Sequence, residues 1–453
     1  MQLVAYGAQD IYLTGNAQIT FFKVVYRRHT NFAMEAIEQT YNGNPDFGKK
    51  VSTTISRNGD LIYHTYVQIS LPSVSIPAGG RFRWLNSLGH ILLKSIQIEI
   101  GGQQIDKHYG DWLHIWSELS QKAGHKNGYD KMIGNVPVLT SMYDNPTASL
   151  NSLIVPAYTL YVPLEFWFCR NPGLALPLIA LQYHEVKINI EFTDAKSCYY
   201  YSTGGSATPA TLPGLGSLGA TMYVDYIYLD TEERRRFAQV SHEYLLEKLQ
   251  YTGEESVSGI QQKLKLNFNH PTKELIWVVQ LDKVTDQSAV GPYGGAQWFN
   301  YTDDFDSTYK NLETFPYISI HGQPNTSVGA TEIVSLVPYE QAGANPVSVA
   351  KLQLNGHDRF SERSGDYFNW VQPYQHHENV PAVGINVYSF ALKPEEHQPS
   401  GSCNFSRIDN ATLQMMLSNA YKTAGTTGEF RIYAVNYNVL RIMSGMGGLA
   451  DSN

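Results

Sequence analysis

Ser95-Ile-Gln-Ile-Glu-Ile100-Gly-Gly102, followed by Gly110-Asp111-Trp112, has a partner later in the chain. Leu352-Gln-Leu354-Asn-Gly356 is followed there by Gly365-Asp366-Tyr367. In the first copy apolar and polar residues alternate with period two and stop at two glycines, which reads as a half-buried strand ending in a tight turn. Two more matches follow in the same order. Phe166-x-Phe168 with Pro172 resembles Phe390-x-Leu392 with Pro394, and Val224-Asp-Tyr-Ile-Tyr-Leu229 resembles Val435-Asn-Tyr-Asn-Val-Leu440. Each match alone is weak. Three in one order read as tandem copies of one β domain, meeting near residue 230, with extra residues in the first copy. Leu61–Leu71, Val186–Phe192 and Lys263–Phe268 add strand-like runs bounded by Gly, Pro and Asn. Many short strands with turns between them indicate a sandwich or barrel.

Composition agrees and narrows the function. The chain has 453 residues, enough for two all-β domains of some 200 residues or more each. Only 16% of residues are charged and the net charge is −8. Binding of nucleic acid by counterion release needs clustered cations, and the densest clusters are Arg27-Arg28 and Arg234-Arg235-Arg236. Direct packaging of a nucleic acid is therefore not expected. Three cysteines, Cys169, Cys198 and Cys403, argue against a disulfide framework. The opening Met1-Gln2-Leu3-Val4-Ala5-Tyr6 lacks the basic and apolar regions of a secretory signal, and the apolar runs are too short to span a bilayer.

Two helices are expected. Trp112, Ile115, Trp116 and Leu119 recur at helical spacing, with Asp111 available as N-cap. Asp230-Thr-Glu-Glu233 has the form of a capping box, predicting a helix toward Gln250 that buries Phe237, Val240 and Tyr244.

Motifs with chemical meaning are weak. Gly214-x-Gly216-x-x-Gly219 matches a dinucleotide fingerprint, but a Pro-rich stretch precedes it and a strand-like run follows, so it reads as a loop. His376-His377-Glu378 and Glu395-Glu396-His397 resemble metal clusters without metal-ligand spacing, and a structural or surface role is the better reading. No nucleophile elbow or P-loop occurs. Neither a catalytic residue, a metal site nor a cofactor is expected. Asn300, Asn325, Asn404 and Asn410 stand in glycosylation sequons, and without a secretory signal most are expected to be unused by the host's secretory machinery.

The segment Gly7-Ala-Gln-Asp-Ile-Tyr-Leu-Thr-Gly-Asn-Ala-Gln-Ile-Thr-Phe-Phe-Lys-Val-Val-Tyr-Arg-Arg-His-Thr-Asn-Phe32 closely resembles the N-terminal segment of major capsid proteins from large nucleocytoplasmic DNA viruses, the chlorovirus-like and marseillevirus-like members most of all. The likeness continues through Ser56–Asp60, Ile100–Asp111, Asp225–Phe237, Pro394–Asn410 and Asn436–Ile442, and so covers essentially the whole chain. Ala17 departs from it, standing where the family usually has Pro.

The resemblance implies an all-β fold of two tandem eight-stranded jelly rolls with short helices in loops. It places an N-terminal arm at 1–26, the first jelly roll at 27–230 and the second at 231–453, opening with a helix over 231–250. It implies a homotrimer forming a pseudo-hexagonal capsomer in the outer icosahedral capsid of the virion, assembled in the host cytoplasm. Its partners would be neighbouring capsomers, minor capsid proteins and an inner virion membrane, with no small-molecule substrate. Arg27, Arg28 and His29 are the expected polar contacts at the capsomer base. Alternatively that segment packs as an edge strand of the first jelly roll. The rival functions are a β-sandwich enzyme or carbohydrate-binding module using surface Tyr and Trp, and a lectin-like spike.

Overall fold

The computed structural model of the protein describes residues 7–16, 20–146, 151–203, 209–287, 295–304 and 343–450. Ala17 and Asn325 lie outside these residues.

The alternation at Leu93–Ile100 is a strand. Ile96, Ile98 and Ile100 are buried while Ser95, Gln97 and Glu99 are half-exposed. Gly101 and Gly102 both have positive φ, at 58° and 82°, and close a two-residue hairpin in which Ile100 faces Gln103. That backbone matches strand twist and favours residues tolerant of positive φ. Asn355 and Gly356, at 52° and 81°, make the same turn between Leu354 and His357. The hairpin match is therefore a repeat of structure, whereas Val224 and Val435 of the third match lie on opposite faces of their sheets, one in the first core and the other in the cluster under the Gly110–Ser120 helix.

Eight strands of the first half supply two sheets. They are β1 (Phe32–Gln39), β2 (Lys50–Thr54), β3 (Leu61–Leu71), β4 (Leu93–Ile100), β5 (Gln103–Tyr109), β6 (Tyr158–Pro163), β7 (Val186–Phe192) and β8 (Gly219–Leu229). One sheet runs β1-β8-β3-β6 and the other β2-β7-β4-β5, all antiparallel. The second half repeats this with β9 (His242–Ser258), β10 (Gln261–Leu266), β11 (Pro271–Leu281), β12 (Val347–Leu354), β13 (His357–Asp358), β14 (Asn386–Ser389), β15 (Ala411–Leu417) and β16 (Thr427–Met443). Its sheets run β9-β16-β11-β14 and β10-β15-β12-β13. Adding eight to each label of the first half reproduces the second. The order 1-8-3-6 against 2-7-4-5 is a jelly roll, in which each sheet edge is reached by strands distant in sequence.

Each sandwich has its own core. Val67, Ile69, Ile98, Ile188 and Val224 are fully buried in the first, and Trp277, Val279, Leu352, Leu413 and Phe430 in the second. A further apolar cluster joins them. The helix α1 (Gly110–Ser120) leaves β5 and lays Trp112, Ile115, Trp116 and Leu119 on Leu249, Ile276, Val278, Tyr433 and Val435, the outer face of the β9-β16-β11-β14 sheet. The chain's end crosses the other way: Tyr183 N–H donates to the Gly445 carbonyl at 2.9 Å, and Gly447 N–H to His184 Nδ1 at 3.1 Å.

Two sequence expectations need correction. Asp111 is not the N-cap of α1. It lies in the first turn, after Tyr109, and its carboxylate faces the second half. The helix predicted over 231–250 ends at Gln239, as α2 (Thr231–Gln239). Asp230 caps it as expected, its carboxylate accepting the Glu233 N–H at 2.9 Å. From His242 the chain pairs with β16, from His242 opposite Ile442 to Ser258 opposite Thr427. That long ladder satisfies the backbone and buries Leu246 and Leu249, which outweighs a helix propensity of tenths of a kcal/mol per residue. Tyr244 therefore sits on a strand against the first core, and Val240 is 55% exposed.

Candidate assembly surfaces and the seam between the halves

Charge is concentrated where the halves meet. Asp111 Oδ2 accepts from the Tyr433 hydroxyl at 2.6 Å and from Arg431 Nε at 3.1 Å, and Oδ1 accepts from the Tyr301 hydroxyl. Arg431 also donates to Gln280 Oε1 at 2.6 Å, with Glu429 at 3.4 Å and Glu254 at 3.7 Å. Burial alone would lower the Arg431 pKa, but Asp111, Tyr433, Tyr301 and Glu254 together more than offset it and the guanidinium is held charged. Burial pushes the Tyr433 and Tyr301 hydroxyls well up, and the Asp111 charge adds to this.

A second network lies on the same seam. Arg170, from the first half, donates to Glu247 Oε2 at 3.2 Å and lies 4.4 Å over the Trp116 ring. Lys273, fully buried, pairs with Glu247 Oε1 at 2.8 Å. Burial would raise the Glu247 pKa, but His397, Lys273 and Arg170 hold it down at about 2. Beside it, both ring nitrogens of His377 face carboxylates, Nε2 to Glu274 and Nδ1 to Glu395, each at 2.8 Å. Only a doubly protonated ring donates to both.

A pH dependence follows. Burial would lower the His377 pKa, but the two glutamates outweigh it and raise it to about 9 from 6.5. The folded state binds this proton more tightly than the unfolded chain. The contribution, about 3 kcal/mol by linkage, is fully present below pH ~6.5 and is lost as pH rises through about 9. Urea unfolding of the wild type should weaken across that window. His377→Gln should be less stable at neutral pH and should not weaken further there. Parallel profiles for the two proteins would contradict this account.

The sequence-derived sites fall as follows. Arg27, Arg28 and His29 are exposed, in an irregular stretch before β1, with the His29 ring 6.0 Å from that of Phe32. The described residues between Thr20 and Asn31 form no strand. Apolar neighbours are also bare: Tyr12 and Leu13 are 89% and 86% exposed, and Phe21 and Phe22 nearly fully so. Asn404 and Asn410 are exposed. Asn300 is not available as a glycan acceptor. It is 3% exposed, its amide donates to Gln297 Oε1 at 2.6 Å and the Asp304 carbonyl at 3.1 Å, and its Oδ1 accepts from the sequon's own Thr302 hydroxyl at 2.7 Å. The Gly214–Gly219 run leads into β8, which starts at Gly219, rather than into a helix. His376 bonds the Leu392 carbonyl at 3.0 Å while His377 turns inward, so the two do not converge. Cys169 and Cys198 are buried thiols and Cys403 is half-buried.

The seam residues escaped the sequence reading. Lys273-Glu274 heads the apolar run Leu275–Val279, and Arg431 interrupts a long apolar strand. Charge inside a fully buried strand was the available signal, because such charges persist only when paired.

Two jelly rolls in tandem on one chain, joined by a packed and ion-paired seam, define a double jelly-roll protein. Family models describing the major capsid protein N-terminus and the large eukaryotic DNA virus major capsid protein match residues 20–230 and 233–448. The chain thus belongs to the major capsid proteins of large eukaryotic DNA viruses, and it is a structural virion component rather than an enzyme. It is 52% identical to the major capsid protein of Phaeocystis pouchetii virus, over 100% of this chain and 99% of that one. Identity to the major capsid protein of Paramecium bursaria Chlorella virus 1 is 44%, over 100% and 99%. In a quasi-atomic model of the PBCV-1 virus capsid the matching chain superposes with a TM-score of 0.71 at 38% identity, covering 96% of this chain and 100% of that one.

Proposed function

We propose that three copies of this chain form a pseudo-hexagonal capsomer that tiles the icosahedral outer shell of a large double-stranded DNA virus. The observation that carries the reading is the repeated strand order: one chain holds two near-equivalent sandwiches side by side. Three such chains give a three-fold object six similar sectors, and that outline packs on a flat hexagonal lattice from one building block. The division of labour we infer is an arm over 1–26, a first jelly roll over 27–230 and a second from 231. The arm, with Arg27, Arg28 and His29, meets neighbouring capsomers, minor capsid proteins and an inner virion membrane at the capsomer base. Its bare Phe21 and Phe22 support this, since contiguous exposed apolar surface marks an interface. Assembly takes place in the host cytoplasm. The net charge of −8 suits a shell that does not touch the genome. Among the described residues, Asn404 and Asn410 remain the accessible sequon asparagines.

Negative-stain electron microscopy of the purified protein tests the capsomer. Top views should average to a six-lobed disc with three-fold symmetry. Single particles the size of one chain would overturn the reading.

A further inference from the structure

The helix that seals the seam has a counterpart whose sealing face is exposed at three of its four positions, Tyr367 being half-buried against the second core. Trp112, Ile115, Trp116 and Leu119 of α1 are at most 5% exposed, pressed on the second jelly roll. Counting 255 residues on from each gives Tyr367, Trp370, Val371 and Tyr374. These lie in a helical segment, a π-turn over Tyr367–Val371 that runs into Gln372–His376. The correspondence is structural. A Cβ on Gly110 would meet the Leu93 carbonyl oxygen that opens β4 at 2.8 Å, and one on Gly365 would meet the Val347 carbonyl oxygen that opens β12 at 1.7 Å. Leu113 anchors its helix in the first core, and Phe368, 255 residues later, anchors in the second. Yet Trp370, Val371 and Tyr374 are 53%, 39% and 80% exposed.

The matching receptor is also open: Tyr66 and Tyr223 are half-buried and Tyr161 is exposed. In the second jelly roll, α1 covers the outer face of β9-β16-β11-β14, where Tyr433 stands opposite Ile276 and Tyr251. In the first, the equivalent face of β1-β8-β3-β6 carries Tyr223 opposite Tyr66 and Glu38. Tyr223 stacks on Tyr66 at 5.2 Å, and Tyr161, 39% exposed, flanks Tyr66 at 6.1 Å. Phe237 covers only the Leu61 and Ile227 end of this face. Aromatic surface of this kind is enriched at the centre of protein interfaces.

We infer that the 367–376 helix of one copy docks on the Tyr66–Tyr161–Tyr223 face of the next copy, repeating between chains the contact that α1 makes within one. Asp366, exposed on this helix, takes the place of Asp111, and its hydroxyl partner is the neighbour's Tyr223 in the place of Tyr433. The contact is head-to-tail: each copy offers one helix and one face, and such an interface closes into a ring when its rotation allows. The inference rests on the trimeric capsomer and assigns its interface.

Two double variants of the full chain test it, Trp370→Asp with Tyr374→Asp and Tyr66→Asp with Tyr223→Asp. All four positions are at least partly exposed, and circular dichroism confirms that each variant is folded. By light scattering after size exclusion, the wild type should run at the mass of three chains and each variant at one. Mixed one to one, the two variants retain a single intact helix–face pair and should combine to the mass of two chains and stop there. Folded variants that remain trimeric, or that fail to combine when mixed, overturn the docking while leaving the trimer standing. A wild type that runs as one chain overturns the trimer, and the docking with it.

Discussion

Replacing Asp111 by Ala lowers the unfolding free energy by about 3–5 kcal/mol, the cost of removing one partner from a buried ion pair. The carboxylate accepts from two buried tyrosine hydroxyls and from Arg431, whose side chain is 7% exposed. Its loss leaves both hydroxyls short of an acceptor. The guanidinium keeps Gln280 and the longer contacts to Glu429 and Glu254 at 3.4 and 3.7 Å, which recover part of the loss. A second substitution, Arg431→Met, tests the cause. If the penalty is a stranded charge, Asp111→Ala with Arg431→Met is less destabilised than the sum of the single changes. Urea midpoints of the four proteins supply the comparison, and strict additivity would show that the two groups do not act as a pair.

Trp116→Ala carries a similar penalty, about 3–5 kcal/mol, because it deletes a large side chain that the surroundings cannot replace. The indole stacks on Trp112 at 5.5 Å, supports the Arg170 guanidinium at 4.4 Å and meets the edge of His377 at 6.4 Å. It thus connects the apolar seam to the Arg170–Glu247 pair and to His377 between its two glutamates. Trp116→Phe keeps an aromatic platform and should lose less than half as much. If thermal melting of Trp116→Ala differs from the wild type by no more than a degree or two, the seam contributes little to holding the halves together.

Legibility in the sequence followed the range of the interaction. Val186–Phe192 and Leu93–Ile100 were readable as strands because one-sided burial writes a period of two into consecutive residues. The face of α1 was readable for the same reason at period 3.6. The segment after Gln239 was misread because its local pattern is ambiguous, and the decision came from β16, nearly two hundred residues away. Asn300 looked like an acceptor because a sequon is local, whereas its burial is set by Gln297, Asp304 and the sandwich around them. Charge within an apolar strand marks Lys273, Glu274 and Arg431 as needing partners, but which partners they meet is not local: Asp111 and Arg431 are 320 residues apart, and no local pattern pairs them.

Two copies of one β sandwich, their hairpin turns, the amphipathic helix between β5 and β6 and membership of a capsid family are all legible along the chain. These depend on short-range periodicity, on positive-φ turn residues and on a likeness running the length of the chain. What that helix covers, which charges meet across the seam and which aromatic faces stay open emerge on folding. Those outcomes depend on strand pairings and packing between residues hundreds of positions apart, where the free energy of burying a group is set by the partner it meets rather than by its neighbours in the chain.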